Sequence, residues 1–300
     1  MNRFKLIFPA LFLICLALNT LTGNQAYAQS KQIMEQLKIP DSGYIQFITT
    51  LNGSTNIGRI VAIGNEEISF QTDSGTLTIP IPKIKKIRQM PVASINNGEY
   101  WFPNPNTTRL FFAPTGRMLK KGDGYFQDIY LFFVNTVYGL TDNLTIGGGT
   151  SIFPGVDIDK QIFYLMPKVG LKATENLNLA AGALAIRIPF DDKASAVGIL
   201  YGVGTYGKPD ASITAGLGYG FVDQEVASKP MIILGSEKRI SRRITLVSEN
   251  WIFPGVDNPL VSYGVRFFGE GLSVDMAFFN TIGENFLFPG IPYIDFVFCF

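Results

Sequence analysis

Residues Ala211–Phe221 read ASITAGLGYGF, and the run has two different faces. Ala211, Ile213, Ala215, Leu217, Tyr219 and Phe221 are apolar, while Ser212, Thr214, Gly216, Gly218 and Gly220 between them are small or hydroxylated. Strict alternation over eleven residues is the mark of a β-strand with unlike surroundings on its two sides. A strand in a water-soluble sheet turns long polar side chains to solvent. This one offers glycine, which packs nothing and costs conformational entropy. The pattern suits a strand whose apolar face meets lipid and whose small face lines a crowded lumen. At roughly 3.3 Å per residue and a tilt of about 40°, the run rises about 28 Å, close to the ~25 Å apolar band of a transmembrane barrel.

The rest of the chain is consistent with export. Arg3 and Lys5 precede an apolar stretch from Leu6 to Leu18, and Ala26-Tyr27-Ala28 forms a small-residue cleavage site. Residues 1–28 are therefore expected to be a signal peptide, with Gln29 as the first mature residue. No later run of eighteen apolar residues follows, so membrane crossing would fall to strands. The mature chain has one cysteine, Cys299, and no histidine, which leaves no internal disulfide and no Cys/His metal cluster. Without Arg3 and Lys5 the charges are 23 basic against 24 acidic, a balance that gives no basis for nucleic-acid binding.

From Arg109 to Phe300 tight turns alternate with longer connections. The tight turns are at Thr141–Asn143, Thr174–Asn176, Gly207–Asp210, Ser241-Arg242 and Gly269–Gly271. The longer connections are at 115–124, 154–160, 189–193, 223–230, 254–259 and 281–285. The alternation predicts an antiparallel transmembrane β-barrel of about twelve strands, with short turns at one end and longer loops at the other. Ile152-Phe153-Pro154-Gly155-Val156-Asp157 returns letter for letter at Ile252–Asp257, and Phe288-Pro289-Gly290 is a partial third copy. All three copies are expected at the longer-loop ends of strands, where Pro and Gly end pairing.

Alternation also assigns faces. The expected lipid faces are Leu144, Ile146, Gly148, Thr150 and Ile152; Phe163, Leu165, Pro167, Val169 and Leu171; Val197, Ile199, Tyr201 and Val203; Val261, Tyr263, Val265 and Phe267; and Leu272, Val274, Met276 and Phe278. None is charged, as required where an outward Lys or Arg at mid-depth costs about 2–4 kcal/mol. Lys168, Arg266, Asp275 and Asp295 fall on the opposite faces and are the candidate lumen residues, with Arg266 expected beside Asp275 or Asp295. Phe126–Leu140, read as one strand, is apolar on both faces, and the strand carrying Arg187 has no clear inner side.

Ahead of the barrel, residues 29–42 hold a short helix over Lys31–Leu37 and a linker. Residues 43–92 contain five short strand runs, separated by the turn formers Asn52-Gly53, Gly64-Asn65 and Asp73-Ser74-Gly75. With Leu51-Asn52-Gly53, Gly58-Arg59-Ile60 and Asn65 before Ile68, this segment resembles the Sm-like and SH3-like small barrels, implying a five-stranded small barrel. RNA-binding loop signatures are not evident in it. Lys83, Lys85, Lys86 and Arg88 form a basic edge, suited to discouraging strand addition or to an anionic periplasmic or cell-wall partner. Residues 93–108 are expected to be a linker, with Trp101 and Phe102 at a membrane surface.

The last strand has Ile294, Phe296, Phe298 and terminal Phe300 alternating with Tyr293, Asp295, Val297 and Cys299. It resembles the C-terminal signal of outer-membrane β-barrel proteins of Gram-negative bacteria. The resemblance implies outer-membrane lipid around the barrel, recognition of Ile294, Phe296, Phe298 and Phe300 by the barrel-assembly machinery, and a periplasmic N-terminal domain. With no histidine base, no phosphate-binding loop, no metal site and no cofactor motif, catalysis is not expected. The expected function is a non-enzymatic, porin-like cell-envelope role, as a narrow pore, a solute or lipid conduit, or an envelope scaffold. The alternative is a soluble exported β-protein that binds an apolar ligand.

Overall fold

A computed structural model of the chain describes residues 33–34, 36–92, 95–96, 99–189, 195–283 and 288–300. The signal peptide and the start of the expected Lys31–Leu37 helix lie outside these residues; Ile33, Met34 and Gln36 are helical. The chain divides into two compact units, Met1–Tyr100 and Trp101–Phe300. Residues 101–108, expected as linker, thus belong to the second unit.

The first unit is a five-stranded antiparallel sheet formed by β1 (Tyr44–Thr50), β2 (Thr55–Ile63), β3 (Glu67–Thr72), β4 (Gly75–Pro80) and β5 (Ile84–Pro91), in the order β4-β3-β2-β1-β5. Among the described residues β4 and β5 are unpaired edges. Ile48, Ile60, Ile68, Phe70, Ile79, Ile84 and Ile87 form its core. Gln46 is fully buried and fully used: its Nε2 donates to Lys38 O at 2.8 Å, and its Oε1 accepts from Ile60 N at 2.9 Å. Satisfying both ends removes the penalty of a buried amide. A two-residue ladder, β6 (Ile95–Asn96) with β7 (Glu99–Tyr100), follows.

The second unit is a closed antiparallel barrel. Its strands are β8 (Gly124–Ile129), β9 (Phe133–Thr141), β10 (Leu144–Ser151), β11 (Phe163–Leu165), β12 (Lys168–Lys172), β13 (Leu177–Ile188), β14 (Ser195–Lys208), β15 (Ala211–Val222), β16 (Glu225–Val226), β17 (Met231–Ser241), β18 (Ile244–Ile252), β19 (Leu260–Phe268), β20 (Leu272–Thr281) and β21 (Ile291–Cys299). All fourteen join one sheet. β11 and β12 are two halves of one stave on either side of Met166-Pro167, and β16 pairs with the end of β15 in line with β17, so the wall has twelve staves. The last strand closes on the first, with Phe298 opposite Phe126 and Asp295 opposite Ile129.

The twelve staves are not all the ones read from sequence. Residues 126–140 are a hairpin, not one strand: Tyr130 (φ 56°) and Leu131 (φ 65°) turn the chain in the left-handed region between β8 and β9. Residues from Arg109, expected to begin the first strand, make no stave. Instead residues 101–123 enter the barrel from the short-turn end, reverse at Leu110–Ala113 and return to β8. Thr115 N donates to Thr108 O at 3.0 Å, and Arg109 bridges to Pro114 across this lumen hairpin. Phe102 is buried edge-on against Phe268, with ring centroids 5.8 Å apart, rather than placed at a membrane surface.

Five short turns lie at the end where the C-terminus emerges, and the connections containing the FPG copies lie at the other. Phe153 O and Phe253 O each accept from the amide three residues on, and Gly155 (φ 76°) and Gly255 (φ 79°) occupy the third position. Both are the turn that wants Pro second and Gly third, because that third residue needs positive φ.

The outer wall is apolar. In β15, Ile213 is 65% exposed and Leu217 50%, while Ser212 and Thr214 are buried inward. The outward faces read from sequence hold for β10, the β11/β12 stave, β19, β20 and β21. β14 reverses the expectation: Val203 is buried, Tyr201 packs against the core, and Leu200 and Tyr206 face outward. The reason lies across the register. Tyr201 pairs with Gly218 and Val203 with Gly216, so large inward side chains of β14 fill the hollow left by inward glycines of β15. Arg187 faces outward one residue from the end of β13, where an outward cation costs about 0–1 kcal/mol.

Candidate functional site: a lumen held by its own hairpin

The lumen is occupied by the hairpin and by charged side chains that bind it to the wall. Arg266, fully buried on β19, donates Nε to Asp275 Oδ1 at 2.7 Å and Nη2 to Asp275 Oδ2 at 2.9 Å. The two residues face each other in register across β19 and β20. Its Nη1 also reaches Glu237 Oε1 at 2.7 Å, and Nη2 donates to Leu110 O at 2.6 Å. One guanidinium thus ties two wall carboxylates to the hairpin backbone, a use that suits its rigid fork of donors.

A second knot surrounds Asp295, directly opposite Asp275. Its Oδ2 accepts from Arg109 Nη2 at 2.6 Å, Gln127 Nε2 at 2.7 Å and Tyr293 Oη at 2.8 Å. Arg109 Nη2 is 3.6 Å from Asp275 Oδ2, and Arg117 Nη1 is 3.6 Å from Glu237 Oε2. Three arginines, two of them from the hairpin, therefore face three wall carboxylates. Such groups are tolerable in a dry interior only when paired and hydrogen-bonded.

Glu249 works differently. Its Oε2 accepts from the backbone amides of Phe111, Phe112 and Ala113 at 2.8, 2.9 and 2.9 Å, and its Oε1 accepts from Trp251 Nε1 at 2.7 Å. The carboxylate caps the reversing tip and gives three amides an acceptor that the tight turn denies them. Around it Leu110, Phe111 and Ala113 pack with Ala180, Val203, Ile233, Val247, Ala277 and Tyr293.

Of the four residues assigned to the lumen from sequence, all are buried. Arg266, Asp275 and Asp295 come together in one network. Lys168 stands apart, donating Nζ to Arg117 O at 2.7 Å and Thr108 O at 3.1 Å, so it holds the hairpin by carbonyls rather than by an acid. Ile294, Phe296 and Phe298 point outward on β21, and Phe300 is exposed. Sequence reasoning missed Glu237, Glu249, Arg109 and Arg117. Glu237 and Glu249 were within reach: each lies in mid-strand, and the alternate face of each strand carries Leu234 and Leu246 outward. The arrangement offers buried charges bonded to one another and to the hairpin, with Arg109 Nε, Glu237 Oε2 and Asp295 Oδ1 left without a hydrogen bond, and among the described residues no group of three His, Cys, Asp or Glu is placed to hold a metal ion.

No family model matches the chain, and no curated protein sequence is significantly similar to it. Among solved structures, the loop L8 deletion mutant of OmpT, an outer membrane protein of Vibrio cholerae, is 13% identical with a TM-score of 0.32, over 86% of this chain and 96% of that one. In-vitro folded OmpT of Vibrio cholerae is 11% identical with a TM-score of 0.30, over 86% and 95%. Salmonella typhi OmpF in complex with daunomycin is 9% identical with a TM-score of 0.31, over 86% and 95%. Superpositions this loose add no weight of their own, and the assignment of a closed, lipid-suited barrel rests on the strand pairing and the apolar outer wall.

Proposed function

We propose that this protein is an outer-membrane barrel that anchors its N-terminal unit at the cell envelope and is closed to free diffusion by its own hairpin. Of the roles open to such a barrel, the envelope scaffold fits best, and a standing pore fits least. The observation that carries this reading is the hairpin of residues 101–123, whose tip and both legs are bonded to the wall from β12 to β21. Twelve staves enclose more room than the eight that side chains just fill, and here the chain fills the difference itself. Short turns beside the C-terminus, as at the periplasmic end of such barrels, support the reading of the N-terminal unit as periplasmic. The soluble, ligand-binding alternative is disfavoured by the largely apolar outer wall, where Tyr206 is 64% and Ile213 65% exposed.

Planar-bilayer recording tests the closed state. The whole protein is expected to insert with little or no steady conductance, and a variant lacking residues 103–118 to insert with open-channel steps. Large steady currents from the intact protein would reject the closed barrel. Failure of the intact protein to resist carbonate extraction from membranes would reject the membrane reading itself.

A further inference from the structure

The outer wall is interrupted by a column of polar side chains on two neighbouring strands. On β17, Ser236 and Lys238 face outward between exposed Leu234 and Ile240, and on β18, Ser248 and Asn250 face outward between Leu246 and Ile252. Ser236 lies opposite Ser248, and Lys238 opposite Leu246. Asn250 Nδ2 donates to Ser248 Oγ at 3.1 Å. The Lys238 ammonium is bonded to nothing among the described residues. A shallow groove of about 480 Å³ opens here, lined by Ser236, Lys238, Leu246, Ser248, Tyr263 and Val265.

The same row continues on the other side of Lys238. Lys238 pairs with Ala211, and Ala211 with Lys208. Two outward lysines therefore stand two strands apart, roughly 10 Å, with only a methyl group between them. Lys208 ends β14, and Lys238 lies about 8 Å of strand rise or less from the end of β17, so both are at the short-turn rim.

The wall cannot neutralise this pair. Among the described residues Glu237, Glu249, Asp275 and Asp295 point inward, Glu225 is exposed on β16 at the longer-loop end, and Asp210, in the turn beside Ala211, is paired with Arg239 at 3.0 Å. A second copy of the chain docked on the same patch would set Lys238 against Lys238 and bring no acid. A lipid phosphate satisfies the charge, and the adjoining groove accepts the chain attached to it.

We infer that this rim is a binding site for an anionic phospholipid. The phosphate sits over Ala211 between Lys208 and Lys238, the Ser236 and Ser248 hydroxyls face the ester region, and one acyl chain follows Leu246, Tyr263 and Val265. The site rests on the reading of the barrel as membrane-embedded.

Native mass spectrometry of the full chain in detergent, with phosphatidylglycerol and phosphatidylcholine in competition, is the test. Phosphatidylglycerol is expected to be retained over phosphatidylcholine by about tenfold or more. The double variant Lys208→Gln/Lys238→Gln is expected to lose that preference, and Lys172→Gln at the same rim to keep it. Equal retention of the two lipids by the wild type, or an unchanged preference in the double variant, overturns the site. Displacement of the lipid by excess inorganic phosphate overturns the lipid assignment in favour of a free anion. Insertion is scored separately, by protease protection of the barrel in vesicles. A chain that inserts without discriminating lipids loses the site alone, and one that fails to insert loses the membrane reading and the site together.

Discussion

Two halves of the barrel wall grip the same hairpin by opposite means. From β17 to β21 the inward face is charged: Glu249, Arg266, Asp275 and Asp295 bind the first leg and the tip, and Glu237 faces Arg117 of the return leg at 3.6 Å. From β13 to β15 the inward face is small or neutral, with Ala180, Thr205, Ser212 and Thr214 against the return leg. There the contact is one of closeness. Gly116 N donates to Thr205 Oγ1 at 2.8 Å, and a Cβ on Gly116 would stand 2.2 Å from Asn178 O and 2.9 Å from Thr205 N. The charged half decides which hairpin residue meets which wall residue, because a misplaced buried charge is expensive. The close half decides how deep the hairpin sits, because backbone against backbone leaves no slack.

The comparison breaks most visibly at Arg266. Arg266→Ala leaves Asp275 and Glu237 buried without their shared partner, and thermal or denaturant unfolding in detergent should show a loss of about 3–5 kcal/mol. A shift no larger than that of a surface substitution would mean the charged half is not what holds the hairpin. Glu249→Gln tests the tip alone. It keeps the shape but weakens three amide bonds to a carboxylate, an expected cost of about 1–3 kcal/mol. The loss should be local, so amide exchange at Phe111, Phe112 and Ala113 should quicken before the strands do. Uniform quickening would place Glu249 in the wall's stability rather than the tip's. The close half is sharpened by a pair of alanines. Gly116→Ala must push backbone aside and is expected to cost about 1–2 kcal/mol. Gly202→Ala, where a Cβ meets nothing within 4 Å, should stay within about 0.5 kcal/mol of the parent. Equal effects at the two positions would remove the distinction between the halves.

Much of this architecture is legible in the residues, and the failures have identifiable causes. The outward rows of β10, β19, β20 and β21 follow from alternation because each sets branched or aromatic residues against polar ones. β14 defeats the rule, since SAVGILYGVGTYGK is apolar on both faces and its orientation is settled by the glycines of β15 opposite it. The β8–β9 hairpin is hidden because Tyr130 and Leu131 turn with positive φ, where Gly or Asn is the usual signal. The lumen hairpin did leave a trace. Pro103, Pro105 and Pro114 crowd the run around Arg109, and proline at that density argues against a central stave. Arg109 and Arg117 went unassigned because alternation has no meaning for a segment that pairs with no wall strand. For the same reason Arg266 and Asp275 were placed together correctly, as strand neighbours, while their bonds to Leu110 and Glu237 were not foreseen.

Both legs of the hairpin pass through one rim. Trp101 lies under Arg239 there, and Lys121 N meets Asp142 Oδ1 at 2.8 Å on a short turn beside it. A chain threaded from end to end could be freed only by opening the cylinder. A loop that goes in and comes out by the same door can be drawn out with every strand pair intact, at the cost of its hydrogen bonds and apolar packing against the wall. The segment next to that door is the one covalently joined to the N-terminal unit. Tension applied to that unit would therefore be delivered first to residue 101 and the leg behind it.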